Sequence, residues 1–309
     1  MINVLFAALP ERWVTYEAPL TKAFNDLGLD VDLRIDFAPH EVDYIVYAPN
    51  SPLQDFTPYT RCKAVLNLWA GVENIISNPT LTQPLARMVD HGLSQGMREW
   101  VTGHALRHHL GMDLHIKGQD GEWRDYVPPL ADDRRVTVLG LGELGMACAK
   151  ALHGLGFPVT GWSRTQKEAE GITCLCGEEG LGKALSTADI LVLLLPNTAA
   201  TENLIDADAL AAMPKGAFLI NPGRGPLIDD EALLAALDTG QIAHATLDVF
   251  RVEPLPVDHP FWAHPNVTVT PHIASETRPS SASQIVAENV RRSENGEPLR
   301  FLADRSAGY

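Results

Sequence analysis

The feature of this sequence that most constrains its fold is a glycine-spaced turn between an apolar run and a run of helix-forming residues. The apolar run covers residues 135–139, and the turn after it reads Gly140-Leu-Gly-Glu-Leu-Gly145. Glycines at this spacing permit a tight turn, a close approach of the backbone to a phosphate, and close packing of helix on strand. The pattern predicts a βαβ unit with an anion site at the helix amino terminus.

Each position of this turn has a predicted part in binding a dinucleotide. Gly140 would form the tight turn, Gly142 would let the backbone approach a pyrophosphate, and Gly145 would let the helix pack on the strand. Backbone amides near Glu143 and Leu144 would face the phosphates. The alternative is an ordinary glycine-rich turn, but the setting between strand and helix favours the nucleotide site.

The rest of the chain alternates in the same way, and its 309 residues exceed most single cores. Apolar runs suited to buried parallel strands occupy residues 4–8, 31–35, 43–48, 64–69 and 85–89, and helical spacing occurs at 16–27, 96–110 and 279–292. We therefore predict an α/β fold with two Rossmann-like lobes. A doubly wound parallel-sheet dinucleotide-binding domain (98–276, with the bridging helix) would be inserted into a flavodoxin-like substrate domain (1–97 and 277–309).

The end of the next predicted strand decides which dinucleotide binds. An NAD site usually has an acidic residue about 20 positions after the glycine turn, where it binds the ribose 2′-hydroxyl. This chain has Ser163, Arg164 and Thr165 there. A guanidinium and two hydroxyls suit a 2′-phosphate, so we predict NADP(H) in preference to NAD(H). The alternative is that Arg164 is a solvated loop residue.

Charge and composition exclude several classes of partner. The net charge of −15 argues against nucleic acid and against an anionic membrane surface. The longest apolar run, residues 190–195, is too short to span a bilayer, and the first residues resemble a strand, not a signal peptide. The four cysteines form no C-x-x-C pair, so we expect reduced thiols, no metal site and a cytoplasmic location.

Three polar segments each follow a predicted strand of the second lobe. They contain Arg224, Glu253 and His272. Ligands in open α/β sheets bind at the carboxyl ends of the strands, so these side chains would converge. Reduction of a ketone by a nicotinamide cofactor places negative charge on the carbonyl oxygen, and a protonated histidine can neutralise it.

We therefore predict His272 as general acid and base, Glu253 as the carboxylate that orients it, and Arg224 as the anchor for an anionic substrate. Each residue also has an ordinary structural interpretation. His272 could be a satisfied loop histidine, Glu253 a turn residue, and Arg224 the partner of a surface acid. Their order, each after a strand, favours the catalytic interpretation.

The motifs that carry this interpretation are Gly140-Leu-Gly-Glu-Leu-Gly145, Leu195-Pro-Asn-Thr-Ala-Ala-Thr201, Asn221-Pro-Gly-Arg-Gly225, Leu247-Asp-Val-Phe…Glu253-Pro-Leu-Pro and Pro271-His-Ile-Ala-Ser275. Over nearly the whole chain the sequence resembles the D-isomer-specific 2-hydroxyacid dehydrogenases. The resemblance implies that the catalytic Arg, Glu and His of the family fall on the three residues assigned above.

The resemblance also implies further contacts. The family's nicotinamide-carboxamide aspartate falls on Asp248, and its carboxylate-binding loop falls on Ala70-Gly71-Val72. The remaining implied contacts are Trp69 and Ser275 for the substrate, and Leu195, Pro196, Thr201, Pro222, Gly223, His272 and Ala274 for the cofactor. Trp69 and the Pro222-Gly223 pair depart from the commoner family residues. Trp69 would either line the pocket or belong to the core, with the core favoured.

Within the family, the closest resemblance is to the glyoxylate/hydroxypyruvate reductase A branch. It is carried by Trp162-Ser-Arg-Thr165, Phe261-Trp-Ala-His-Pro265 and Asp304-Arg-Ser-Ala-Gly-Tyr309. This implies NADPH-linked reduction of a small 2-keto acid to the D-2-hydroxy acid, by a homodimer. Two alternatives stay open: a dinucleotide-sensing co-repressor without turnover, and a dehydrogenase of the same fold acting on formate, phosphite or a larger hydroxy acid.

Overall fold

The computed structural model describes residues 1–308. Tyr309 lies outside the described residues; it ends the predicted substrate domain and the segment 304–309 that resembles the reductase A branch. The chain divides into two compact units. One contains Met1–Leu93 and the chain from Glu276 onward, and the other is Ser94–Ser275. The divisions therefore fall after Leu93 and Ser275, whereas the sequence placed them after residues 97 and 276.

In the described part of the first unit, five parallel strands form a sheet in the order β2-β1-β3-β4-β5. This is the strand order of flavodoxin-like folds. The central strands are buried on both faces, as parallel strands covered by helices must be. The strands are β1 Ile2–Ala7, β2 Val31–Arg34, β3 Tyr44–Tyr47, β4 Ala64–Asn67 and β5 Leu85–Ala86.

Helices α1 (Pro10–Asp26) and α9 (Pro279–Glu294) pack on one another in this unit, so both ends of the chain build it. The predicted start of α1 at residue 16 was too late. Pro10 occupies the first helical turn, where the fixed φ and the missing N–H of proline are tolerated. The short helix α2 (Glu73–Ile76) follows β4.

The second unit contains a seven-stranded parallel sheet within the described residues, in the order β12-β11-β10-β9-β6-β7-β8. The chain starts at β6, runs outward through β7 and β8, and then returns to the other side of β6 at β9. Such a reversal is the Rossmann switch point, where ligands bind at the carboxyl ends of the strands. The strands are β6 Val136–Leu139, β7 Val159–Ser163, β8 Ile172–Cys176, β9 Ile190–Leu193, β10 Ala217–Asn221, β11 Ile242–Leu247 and β12 Val267–Val269.

The long helix α3 (His91–His109) precedes this sheet and also begins earlier than predicted. Its start is set by Asp90, whose carboxylate accepts the amides of Gly92 and Leu93, each at 3.1 Å. Apolar layers cover both faces of the sheet. The other helices of this unit are α4 Met112–Lys117, α5 Glu143–Gly154, α6 Gly177–Ser186, α7 Ala207–Ala212 and α8 Asp230–Asp238.

Membrane-spanning helices and metal-binding clusters are both absent from residues 1–308. No helix there has the length and apolar character needed to cross a bilayer. No group of three or more His, Cys, Asp or Glu side chains in that range is arranged to hold a metal ion. The four cysteines are free thiols, with Cys62 and Cys148 buried.

Candidate active site

The turn between β6 and α5 has the geometry that its glycines predict. Gly140 has a φ of +106°, and a Cβ there would lie 2.4 Å from the carbonyl oxygen of Leu194. A Cβ on Gly145 would lie 1.7 Å from the carbonyl oxygen of Gly140, so only glycine permits this helix to meet the strand end. A Cβ on Gly142 would meet nothing within 4 Å. The turn is thus tight at both ends and open in the middle.

Open space at Gly142 lies beside the start of α5, where Gly142 is the N-cap and Glu143 and Leu144 are the first helical residues. The first amides of a helix have no intrahelical acceptor, and the helix dipole is positive at this end. The residues present therefore fit the pyrophosphate of a dinucleotide.

The segment predicted to select the cofactor lies beside this turn. Leu139 pairs with Trp162 in the sheet, so Ser163 and Arg164 follow at the same edge. The Ser163 hydroxyl donates to the carbonyl of Thr165 at 2.8 Å, which makes a compact bend with Arg164 at its exposed tip. The three residues are brought together as predicted, and the serine hydroxyl remains able to accept a hydrogen bond.

The loop after β9 is held by its own side chains. The Thr201 hydroxyl donates to the carbonyl of Pro196 at 2.7 Å and accepts the amide of Thr198 at 2.8 Å. Leu195 is buried at the base of this loop. Because β9 neighbours β6 at the switch point, Leu195, Pro196 and Thr201 lie at the same sheet edge as the glycine turn.

The turn after β10 carries Arg224. Its support is Asn221, which is fully buried and which sequence reasoning did not single out. The Asn221 side chain accepts the amide of Gly223 at 3.0 Å and donates to the carbonyl of Arg224 at 2.9 Å. A Cβ on Gly223 would lie 2.7 Å from the carbonyl oxygen of Leu193, so the Pro222-Gly223 pair passes close to the end of β9.

Glu253 and His272 form a hydrogen-bonded pair, with 2.7 Å between Glu253 Oε2 and His272 Nδ1. Glu253 Oε1 accepts the amide of Phe250 at 2.9 Å, which fixes the carboxylate in its loop. The His272 side chain is 51% exposed. The pair therefore holds Nδ1 while much of the imidazole stays accessible to solvent.

Charges in this pair shift both pKa values. The hydrogen bond to Glu253 raises the pKa of His272 above its ordinary value, against burial and the nearby positive charge of Arg224. Burial acts to raise the pKa of Glu253, but hydrogen bonds from His272 and the Phe250 amide outweigh it and lower that pKa. Arg224 also lowers it, so the three charges lie within electrostatic reach of one another.

Asp248 holds the loop that carries His272. Its Oδ1 accepts the Thr270 hydroxyl at 2.6 Å and the Ile273 amide at 2.9 Å, and its Oδ2 accepts the Ala274 amide at 2.8 Å. Asp248 is fully buried, and His272 has a φ of +55°, a conformation that needs such support. The family resemblance implied a cofactor contact for Asp248. In the structure Asp248 also anchors the loop that carries His272. Thr270, which donates to Asp248, was not predicted from the sequence.

The predicted carboxylate-binding loop belongs to the first unit. The Asn67 side chain donates to the carbonyls of Trp69 at 2.8 Å and Gly71 at 3.1 Å, which shapes the loop around Ala70. Val72 is buried. The Trp69 side chain is 39% exposed, so the expectation that it belongs to the core was wrong. In the second unit, the Ser275 hydroxyl lies against Gly96 of α3.

The chain is similar in sequence to known proteins. A family model described as "D-isomer specific 2-hydroxyacid dehydrogenase, NAD binding domain" matches residues 103–274. The glyoxylate/hydroxypyruvate reductase A of Serratia proteamaculans (strain 568) is 39% identical over 257 residues, which cover 81% of this chain and 82% of that protein.

Solved structures agree with this. A D-isomer-specific 2-hydroxyacid dehydrogenase from Xanthobacter autotrophicus Py2, in complex with NADPH and MES, is 40% identical with a TM-score of 0.93, covering 100% of this chain and 99% of that one. The NADPH-dependent glyoxylate/hydroxypyruvate reductase of Sinorhizobium meliloti, in complex with NADP and sulfate, is 34% identical with a TM-score of 0.86 and the same coverage. This chain therefore belongs to the D-isomer-specific 2-hydroxyacid dehydrogenase family.

Proposed function

We propose that this oxidoreductase reduces a small 2-keto acid of the glyoxylate or hydroxypyruvate type to the D-2-hydroxy acid, with NADPH as the hydride donor. The observation that supports this most is the Glu253–His272 pair, 2.7 Å apart, within electrostatic reach of Arg224. The S. meliloti and S. proteamaculans relatives carry this activity in their names. The free thiols fit a reducing compartment, and we place the enzyme in the cytoplasm.

His272 is the proposed general acid. Negative charge grows on the ketone oxygen during reduction, and protonated His272 can donate the proton from Nε2 while Glu253 holds Nδ1. Arg224 would bind the substrate carboxylate or carbonyl oxygen, and the Ala70-Gly71-Val72 amides would bind the carboxylate. Trp69 and Ser275 would line the substrate site. When bound, NADPH supplies the hydride for the carbonyl carbon.

The chain uses NADP(H), as the solved relatives with NADPH and NADP support. The residues that we propose to hold it are Gly140, Gly142, Glu143, Leu144, Gly145, Ser163, Arg164, Thr165, Leu195, Pro196, Thr201, Pro222, Gly223, Asp248, His272 and Ala274. We propose residues 98–276 as the cofactor-binding domain, and residues 1–97 with 277–309 as the substrate domain.

Loss of NADPH absorbance with glyoxylate, hydroxypyruvate and pyruvate tests the reaction. Turnover of at least one of the first two, with the D-isomer as product, is the expected result. Tight NADPH binding without turnover of any keto acid would contradict the proposal and favour a dinucleotide sensor.

Arg164→Ala tests the cofactor contact. Loss of a charge-assisted contact to the 2′-phosphate should weaken NADPH binding about 10- to 100-fold and leave NADH binding nearly unchanged. Dissociation constants from the quenching of intrinsic fluorescence measure both. Equal effects on the two cofactors would remove Arg164 from this role.

We also propose that the protein is a homodimer that uses the segment 112–130. Large apolar side chains cluster on its surface, and Trp123 is 93% and Val127 81% exposed. Exposed apolar patches of this kind mark interaction surfaces. Light scattering should give a dimer for the native chain and a monomer for Trp123→Glu with Val127→Glu. Val257→Glu, at an apolar residue 95% exposed elsewhere, is the matched control and should stay dimeric.

A further inference from the structure

Arg251 lies in the loop after β11, between Asp248 and Glu253, yet its side chain reaches the turn that carries Arg224. Its Nη2 donates to the carbonyl of Ile228 at 2.5 Å and to the carbonyl of Pro226 at 3.4 Å. Both carbonyls belong to the chain directly after Arg224. A single guanidinium thus connects the loop of the acid–base pair with the turn of the substrate anchor.

The same guanidinium also binds the segment after β9. Its Nη2 donates to the side-chain oxygen of Asn203, and the Asn203 amide donates to the carbonyl of Pro226 at 2.8 Å. Glu202 and Asp230 lie 3.8 Å from Arg251 and supply negative charge. Arg251, which itself follows β11, therefore contacts residues that follow two other strands, β9 and β10.

The backbone beside Arg251 also packs closely against the turn that carries Arg224. A Cβ on Gly225 would lie 2.0 Å from the carbonyl carbon of Phe250 and 2.5 Å from the amide nitrogen of Arg251. The Phe250 amide in turn donates to Glu253 at 2.9 Å. Residues 250–251 thus touch the Arg224 turn on one side and hold the Glu253 carboxylate on the other.

We propose that Arg251 is a positioning residue that sets the placement of Arg224 relative to the Glu253–His272 pair. The inference rests on the proposed function, because only a shared anionic substrate makes that placement matter. Arg251 itself has no contact with the reacting atoms in this scheme. An arginine suits the task because its planar fork carries several donors in fixed directions, whereas a lysine concentrates its donors on one nitrogen.

Arg251→Met tests this, since methionine keeps an unbranched aliphatic stem and removes every donor. Loosening of the Arg224 turn should lower kcat/KM for the keto acid about 10- to 100-fold, because misplacement of about 1 Å has effects of this size. The dissociation constant for NADPH should not change. The matched control is Arg135→Met: Arg135 binds Asp189 through two nitrogens, at 2.8 and 3.0 Å, at the start of β6. That control should keep native kinetics.

A pH profile separates positioning from simple stabilisation. Arg224 acts to lower the pKa of His272, so displacement of Arg224 should move the alkaline limb of kcat/KM to higher pH in Arg251→Met. Assays are run well below the unfolding temperature of both proteins. A variant that unfolds at lower temperature but keeps the native kcat/KM and alkaline limb would overturn the proposal.

Amide hydrogen exchange gives a readout that does not need turnover. Arg251→Met should lose protection in residues 222–230, whereas Arg135→Met should not. If the native enzyme reduced no keto acid, the proposed function would fail. The exchange experiment would still show whether Arg251 orders the turn, and unchanged protection in Arg251→Met would overturn the inference.

The variant Arg251→Lys should have a lower kcat/KM than the native enzyme. Full native activity in that variant would show that charge alone suffices, against the proposed carbonyl contacts.

Discussion

Two histidines of the seven-stranded unit, His272 and His108, have opposite pKa shifts. His272 is half exposed at the carboxyl edge of the sheet, and its hydrogen bond to Glu253 raises its pKa. His108 lies on α3, is 4% exposed, and stacks on the ring of Phe218 at 4.8 Å. Burial, helped by neighbouring positive side chains, lowers the pKa of His108 to about 2.

The comparison shows that burial and the hydrogen-bond partner together decide the charge of an imidazole. His108 shares a hydrogen bond with the Thr246 hydroxyl at 2.9 Å, and a hydroxyl does not compensate a positive charge as a carboxylate does. His108 is thus a neutral packing residue near pH 7. The raised pKa of His272 favours the protonated form that a general acid requires.

The largest expected effect comes from removing the imidazole that carries the proton. His272→Ala should lower kcat for keto-acid reduction about 10²- to 10⁴-fold, because the proton donor is lost. NADPH affinity should change far less, because many other residues are proposed to hold the cofactor. Steady-state kinetics and cofactor titration measure the two quantities. The matched control is His264→Ala, which breaks another histidine–carboxylate contact, 3.4 Å to Asp238. Native kcat in His272→Ala would end its assignment.

Glu253→Gln makes the partner of His272 neutral, so it sharpens the comparison directly. The pKa of His272 should fall, and reduction should lose activity at a lower pH than in the native enzyme, since only protonated His272 donates. The rate should fall about 10-fold or more, a part of what proton transfer contributes. The pH dependence of kcat/KM measures this. An alkaline limb that stays in place would show that Glu253 does not set the charge of His272.

At His108 the expected effect concerns stability. Its folded-state pKa lies below the ordinary 6.5, so the unfolded chain binds more protons as the pH falls below 6.5. The free energy of unfolding should therefore fall with decreasing pH, by up to about 1.4 kcal/mol per pH unit for one such group. Urea unfolding at several pH values, native against His108→Gln, measures it. Equal slopes in the two proteins would contradict the burial argument.

The smallest effect is expected at the partner of His108. Thr246→Val removes the hydroxyl from a fully buried site and leaves the His108 Nε2 without its partner. The free energy of unfolding should fall by about 1–3 kcal/mol. Keto-acid kinetics should not change, because neither His108 nor Thr246 is among the residues proposed to bind or react with the substrate. A kinetic effect as large as that of Glu253→Gln would mean that the two histidines are not independent.

Much of the second unit was predictable because its determinants are local. The glycine turn at residues 140–145 needs only neighbouring residues to specify its shape, and its φ values and close approaches agree with the prediction. The order of Arg224, Glu253 and His272 after separate strands predicted their common edge, since parallel strands end on one side.

Predictions failed where distant contacts decide. The side chain of Trp69 follows an apolar run, but the strand ends at Asn67 and the tryptophan is exposed. One failure was local: helix α3 starts at His91 because Asp90, its neighbour in the sequence, caps it. Asn221, Arg251 and Thr270 act by reaching backbone and side-chain groups of other segments, and nothing in their local pattern shows which groups those are.

The amino-acid sequence by itself determined the family, the alternation of strands and helices, the glycine turn and the residue types at each strand end. These follow from local sterics, from the period of apolar residues and from family motifs. Only the tertiary structure decided that Glu253 meets His272, that Asp248 anchors the loop at residues 270–274, and that His108 is held neutral. The reason is physical: charge state and hydrogen bonding depend on which groups the folded chain brings within a few ångströms.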